Sequence, residues 1–403
     1  MAGRRAAGPP PSRFVDMSID VDVVRTVEVP TRIVHGPGAL ARLGDVVAEL
    51  GVERPLLVTD SGVAAAGLAD RALEHLDGAA VFDTVYPNPD LELVALAAER
   101  YGAETCDGLV ALGGGSSMDT AKAVGVVVEH GGSIRDYEYG ASPLERRIPP
   151  LVAIPTTAGT GSEVTLWAVI TDHERQIKFN VGGTALIGPH VALVDPELTI
   201  GLPPTVTAAT GMDALSHGVE CYTCDYAQPF NDAVALAAIE LVGRWLRVAY
   251  ADGSNVEART PMSAAATLGG LAYGTESAGA AHAMSQSAGG VHDCPHGALT
   301  ARVLGPVCEY NAPAAPERYT RIALALGCDT HGRDPLEAAM LGVEEIYRMV
   351  DELGIPTLEE LGFSPDEIPL LAKISYDDPQ TIGNPRRLEV ADYEEIWRKA
   401  FAR

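Results

Sequence analysis

The chain has 403 residues and a formal net charge of −26, from 29 Lys and Arg against 55 Asp and Glu. Length alone fits two to three domains. So acidic a chain repels nucleic-acid phosphates and anionic membrane surfaces, which argues against both as partners. An anionic substrate stays open, because a local pocket can oppose the global field. No stretch approaches the roughly 18 uninterrupted apolar residues of a membrane helix. The opening MAGRRAAGPPPSR lacks the apolar segment of a secretory signal, and residues 1–18 read as a flexible extension. Six cysteines, with Cys221-x-x-Cys224 as a lone pair, suggest neither a disulfide framework nor a zinc ribbon. The expected compartment is the reducing cytoplasm.

In chain order, Pro55–Thr59 (PLLVT) reads as a strand, Ser61–Leu76 as a helix and Ala80–Val85 as a strand. Leu91–Tyr101 reads as a helix and Gly108–Leu112 (GLVAL) as a strand; a glycine turn then leads into a helix running from near Met118 to Val128. Leu151–Ile154 and Val191–Val194 complete the predicted strands. Continuous apolar runs alternating with helices imply parallel β-α-β packing, with strands buried on both faces. Past Leu202-Pro203-Pro204 the pattern changes to an Ala-rich, three- and four-residue spacing, as in Asn231–Ala249, Thr260–Ala272 and Pro335–Leu353. That half is predicted to be helical, with a boundary near residue 200: an α/β parallel-sheet domain over residues 19–200 and an all-α domain over 201–403.

Two turns have the chemistry of a phosphate or ribose site, with an ordinary turn of an α/β protein as the alternative reading of each. Gly113-Gly114-Gly115-Ser116-Ser117 joins a strand to a helix, where glycines admit a phosphate closely and the helix N-terminus offers unpaired N–H groups. Asp119 and Lys122 follow within it. The fingerprint G-x-G-x-x-G is absent. Thr156-Thr157-Ala158-Gly159-Thr160-Gly161-Ser162-Glu163 supplies a second, hydroxyl-rich turn. Asp60, at a strand end, either accepts ribose hydroxyls, favouring NAD over NADP, or caps a helix.

The second half carries metal-ligand chemistry. Asp213 and His217, at i and i+4, share one helical face. With His282 and His296 they make a plausible divalent site for Zn2+ or Fe2+. A nucleotide in one half and a metal in the other suggest hydride transfer in the cleft between them, the metal polarising an alcohol or carbonyl oxygen.

These residues resemble the iron-containing (group III) alcohol dehydrogenases over roughly residues 28–401. The motifs are G-G-G-S-S-x-D-x-A-K at 113–122, P-T-T-A-G-T-G-S-E at 155–163, T-G-M-D-A-L-S-H at 210–217, the stretch from His282 to Pro295-His296-Gly297, and Asn384-Pro385-Arg386. The resemblance implies a Rossmann-like N-terminal domain followed by an α-helical domain, and a homo-oligomer, dimer or larger. It implies metal ligation by Asp213, His217, His282 and His296. It further implies dinucleotide contacts at Asp60, Gly114, Gly115, Ser116, Asp119, Thr156, Thr157, Thr160, Val169 and Lys178. The implied activity is hydride transfer between NAD(H) and a small alcohol or aldehyde.

Two departures stand out. Many members carry a further active-site His where this chain has Gln286. Glutamine cannot shuttle a proton near neutral pH, so either water carries it or another residue such as His292 takes part. Trp167, Tyr273 and Gln380 fall at substrate-lining positions, where Trp167 narrows the pocket, stacks on a substrate or serves as core. Cys294 reads as a small buried side chain. Four readings compete with the leading one. A nicotinoprotein or transhydrogenase would keep its NAD bound. A reductase of sulfonated or phosphonated aldehydes would need a cation near the metal, for which Arg135, Arg302 and Arg386 are the arginines to place. A dehydroquinate-synthase-like lyase is disfavoured by the few basic residues around the ligand motifs, and a non-catalytic scaffold by the presence of all four ligands.

Overall fold

The computed structural model describes residues 24, 26–225, 228–274 and 278–403; the extension expected over residues 1–18 lies outside them. Its first half is built on β1 (Arg32–His35), β2 (Pro55–Asp60), β3 (Ala80–Val85), β4 (Gly108–Gly113), β5 (Leu151–Pro155) and β8 (Val191–Val194). They form one sheet in the order β1-β8-β5-β4-β2-β3, with every pairing parallel. The apolar runs PLLVT, GLVAL and LVAIP are the inner strands, because helices cover both faces. Those helices include α1 (Leu43–Glu49), α2 (Ser61–Ala65), α3 (Leu68–Leu73), α4 (Leu91–Ala103) and α5 (Gly115–His130).

Chain direction across the sheet reverses between β2 and β4, which lie side by side. A crevice opens at the carboxyl ends of strands at such a switch point. Here those ends are Asp60 and Gly113, and a Cβ added to Gly113 would lie 3.2 Å from Asp60 Oδ2.

Three features differ from the sequence expectation. The single helix over Ser61–Leu76 is two short ones, because Gly67 takes a left-handed φ of 75° and stops α2. The edge strand β1 was not anticipated. Nor was the antiparallel hairpin of β6 (Trp167–Asp172) and β7 (Ile177–Gly182), which pairs Trp167 with Gly182 and Thr171 with Lys178.

The second half is helical: α6 (Pro204–Thr223), α7 (Pro229–Ala251), α8 (Val256–Tyr273), α9 (Ala280–Ala288), α10 (His296–Asn311), α11 (Pro316–Ala325), α12 (Pro335–Glu352), α13 (Ile368–Asp377) and α14 (Val390–Phe401). From Gly211 to Thr223, α6 is buried throughout, so its polar side chains face protein rather than bulk water. The loop Thr156–Glu163 joins the halves. Gly161 and Gly270 of α8 meet backbone to backbone: a Cβ on Gly161 would fall 2.6 Å from Gly270 Cα, and one on Gly270 would fall 2.5 Å from the Gly161 carbonyl oxygen. Beside them Thr267 of α8 donates to Glu163 at 2.7 Å.

Candidate active site

α6 presents Asp213 and His217 on one face, α9 brings His282 beside them, and His296 opens α10. Ligand atoms of Asp213, His217 and His282 all lie within 4.8 Å of one another. The His217 and His282 rings stack at 4.6 Å, the His296 ring is 5.6 Å from His282, and His296 Nε2 is 3.7 Å from Asp213 Oδ1. Asp213 Oδ1, His217 Nδ1 and His282 Nε2 are buried without a hydrogen-bond partner. Buried polar atoms are normally satisfied, so three orphans in one cluster fit a divalent cation, and the donor set of three imidazoles and a carboxylate suits one. Burial pushes His217 down to about 3 and lowers His296 strongly, the neighbouring His282 adding to it, so both present neutral nitrogens at neutral pH.

Glu220, which sequence reasoning missed, stands one turn beyond His217. Its carboxylate accepts from the backbone N–H groups of Ala281 (2.7 Å) and His282 (3.1 Å) and bonds His282 Nδ1. Burial opposes charge on His282, but this hydrogen bond and the Glu220 charge overcome it and raise the imidazole above its usual value. With Nδ1 held by Glu220, Nε2 is left to the cluster. A signal existed: residues 213, 217 and 220 are spaced i, i+4, i+7.

The cluster opens into a cavity of about 170 Å³ between the two halves. All four expected ligands line it, with Gln286, Trp167, Tyr273 and Gln380. On the sheet side it is lined by Gly115, Ser116, Asp119, Thr160, Val169 and Lys178. Asp60, Gly114, Thr156 and Thr157 stand instead at the strand ends outside this wall. Asp60 does cap α2, accepting from Val63 N–H at 2.9 Å, while its second oxygen faces Gly113.

Asp119 holds the turn and hairpin together. It accepts from Ser162 Oγ at 2.7 Å and from Val169 N–H at 3.0 Å. Lys122, fully buried, donates to Ser162 Oγ, Thr165 Oγ1 and the Trp167 carbonyl at 2.8–3.0 Å. Burial pushes its ammonium down to about 8 against the pull of Asp119 and Glu163. Lys178 donates to Asn88 at 2.8 Å and is lowered by burial.

At the other wall the Tyr273 hydroxyl donates to Gln380 Oε1, and Gln380 Nε2 donates to Gln286 Oε1, both at 3.0 Å. His292, offered as a relay group, is drawn away from this wall. Its Nε2 bonds Glu367 at 2.8 Å and its ring packs edge-on against Phe363 at 4.7 Å. Burial pushes the Cys294 thiol up to about 11. The three arginines are committed elsewhere. Arg135 pairs with Asp172 and Glu174, Arg302 donates to the carbonyls of Ile355 and Pro356, and Arg386 lies over the Tyr310 ring. Apart from the histidines, Lys178 is the only basic side chain among the described residues lining the cavity.

Comparison with known proteins gives matches across this architecture. Residues 30–196 match the family profile described as iron-containing alcohol dehydrogenase, and residues 207–401 match its C-terminal counterpart. A Bacillus subtilis protein named choline dehydrogenase is 54% identical over 382 residues, covering 93% of this chain and 95% of its own. A solved 1,3-propanediol oxidoreductase superposes with a TM-score of 0.90 at 38% identity, covering 94% of this chain and 100% of its own. The sulfoacetaldehyde reductase from Bifidobacterium kashiwanohense, solved with NAD+, superposes with a TM-score of 0.85 at 30% identity, covering 94% and 99%.

Proposed function

Since the chain belongs to the iron-containing alcohol dehydrogenase family and is an oxidoreductase, we propose that it transfers hydride between NAD(H) and a small alcohol or aldehyde in the cavity beside Asp213, His217, His282 and His296. One observation carries this reading: three orphaned buried donor atoms share a cavity with the amino end of α5. When bound, the divalent metal supplies Lewis acidity at the substrate oxygen and the nicotinamide accepts or gives the hydride.

The chain's own groups do the positioning. The α5 N-terminus and Lys178 offset the diphosphate charge that the acidic chain would otherwise repel. Asp60 at the β2 end disfavours a 2′-phosphate, which supports NAD over NADP. Asp119 and Lys122 hold the hairpin against the Thr156–Glu163 loop. Gln286, held by Gln380, which in turn accepts from Tyr273, binds and orients without titrating, so the hydroxyl proton leaves through water. Fe2+ and Zn2+ both suit the donor set, and a cytoplasmic homo-oligomer belongs to the same reading.

Among substrates, choline-like alcohols come first, supported by the half-identical Bacillus subtilis relative. An anionic aldehyde, as the Bifidobacterium kashiwanohense protein is named for, would have Lys178 as its one non-histidine cation. The test is a screen of small alcohols and aldehydes with NAD(H) and NADP(H), with metal analysis of the same preparation. D213A and H282A are expected to lose bound metal and turnover together. A metal-free variant with full hydride transfer would overturn the reading.

A further inference from the structure

Trp167 is the first residue of β6, and its ring is fixed from two sides. Behind it is Gly183, at a left-handed φ of 77°, where an added Cβ would fall 2.6 Å from the indole Cη2. Against it stands Tyr139, edge-on at 73° with ring centroids 5.1 Å apart. The indole N–H is buried without a partner, so packing rather than a hydrogen bond orients the ring. A buried tryptophan normally finds a partner for that N–H. Keeping a large aromatic here therefore points to a use for its face. Trp167 lines the same cavity as Tyr273 and the metal-binding cluster.

Lys178, the one non-histidine cation among the described residues of the cavity wall, is set back from Trp167 along the hairpin. Lys178 pairs with Thr171, four residues along the hairpin from the Trp167–Gly182 pair, which is about 13 Å at strand rise. Lys122 reaches the Trp167 backbone carbonyl but is fully buried, is not part of the cavity wall and has Asp119 at 3.9 Å. Arg135, Arg302 and Arg386 are engaged elsewhere. The acidic groups of the cavity wall are Asp119, paired with Lys122, and Asp213, in the metal cluster, so the negative field is that of the whole chain, which carries −26. A head group bearing a fixed positive charge and methyl groups has no hydrogen to donate. It is held instead by aromatic faces and a negative field, and tryptophan is the best such face.

We propose that Trp167, braced by Tyr139, is the specificity-determining residue of this site and receives the trimethylammonium head of an alcohol substrate. The inference rests on the alcohol-oxidising reading above. It adds which residue selects the substrate and by what force.

The experiment compares choline with its uncharged isostere, in which carbon replaces the quaternary nitrogen, and with n-propanol, on the metal-loaded enzyme with NAD+. Wild type is expected to favour choline over the isostere by about tenfold or more in kcat/KM, the size of a desolvated cation–π contact. W167L should lower the ratio of kcat/KM for choline to that for n-propanol by about tenfold, and W167F should recover part of that selectivity. Should W167L fold poorly, wild type alone still decides, because tetramethylammonium should compete with n-propanol. Equal use of choline and the isostere, a parallel fall for every substrate in W167L, or no competition by tetramethylammonium would each overturn the proposal. Turnover of n-propanol with choline ignored removes only the head-group inference. No turnover of any alcohol removes the broader reading and this one with it.

Discussion

At the scale of single residues, the geometry of the candidate metal cluster depends on a side chain that is not itself among its proposed ligands. Glu220 satisfies two backbone N–H groups at the start of α9 and fixes the His282 ring through Nδ1. Outer-shell carboxylates of this kind typically hold 10–100-fold in metal affinity. E220Q is therefore expected to weaken metal binding by about that factor, as read by competition with a chelator, with helix content unchanged by circular dichroism. Unaltered affinity would show that the α9 backbone alone orients His282. Asp213, His217, His282 and His296 could be singled out because their residue types and the i, i+4 spacing of the first two suit a metal and the family resemblance implied the set of four. For Glu220 the only signal was its i+7 spacing from Asp213, which does not set it apart from a helical surface glutamate until its partners on α9 are seen. His292 failed in the opposite way: being near His296 in sequence says nothing of where a loop imidazole turns, and Glu367 and Phe363 hold it elsewhere.

At the scale of elements, β5 and β8 are tied where β8 begins. His190 N–H donates to the Leu151 carbonyl at 2.8 Å, and Leu151 N–H donates to His190 Nδ1 at 3.2 Å. The second bond needs an unprotonated Nδ1. Burial, with Arg147 nearby, pushes His190 down to about 4. Between the ordinary value near 6.5 and about 4 the unfolded chain takes up a proton that the folded chain refuses, so this site makes stability fall as pH drops through that window. Tm measured from pH 7.5 to 4 should fall less steeply in H190Q than in wild type; parallel profiles would show that His190 does not titrate this way. The inner strands β2, β4 and β5 were readable because two-sided burial writes a continuous apolar run. The hairpin β6/β7 was not. Its apolar run, V-T-L-W-A-V-I, follows directly on the hydroxyl-rich loop, and its turn through Gln176, at a φ of 55°, lacks the Asn-Gly or Asp-Gly signature.

At the scale of the whole molecule, a net charge of −26 must be borne by the folded surface. Self-repulsion of that kind weakens as salt shortens the screening length, from ~30 Å at about 0.01 M to ~3 Å at about 1 M. Tm is expected to rise over that range of NaCl, and a flat or falling curve would show that ion pairs such as Arg247 with Glu345 and Glu352 dominate instead. By itself the sequence determined the class of each half, the glycine-rich and hydroxyl-rich turns after two strands, and the donor types of the candidate metal cluster. Each of these is written locally, in apolar periodicity, in glycine where backbone must approach closely, and in residues whose chemistry has few other uses. Only the tertiary structure decided which groups share one cavity. It brought Trp167 into one cavity with the candidate metal cluster by way of a hairpin, set Glu220 against His282 across 62 positions, and sent His292 and three arginines elsewhere. Those outcomes depend on contacts between segments far apart in the chain, where packing and hydrogen-bond satisfaction choose among partners that no local pattern encodes.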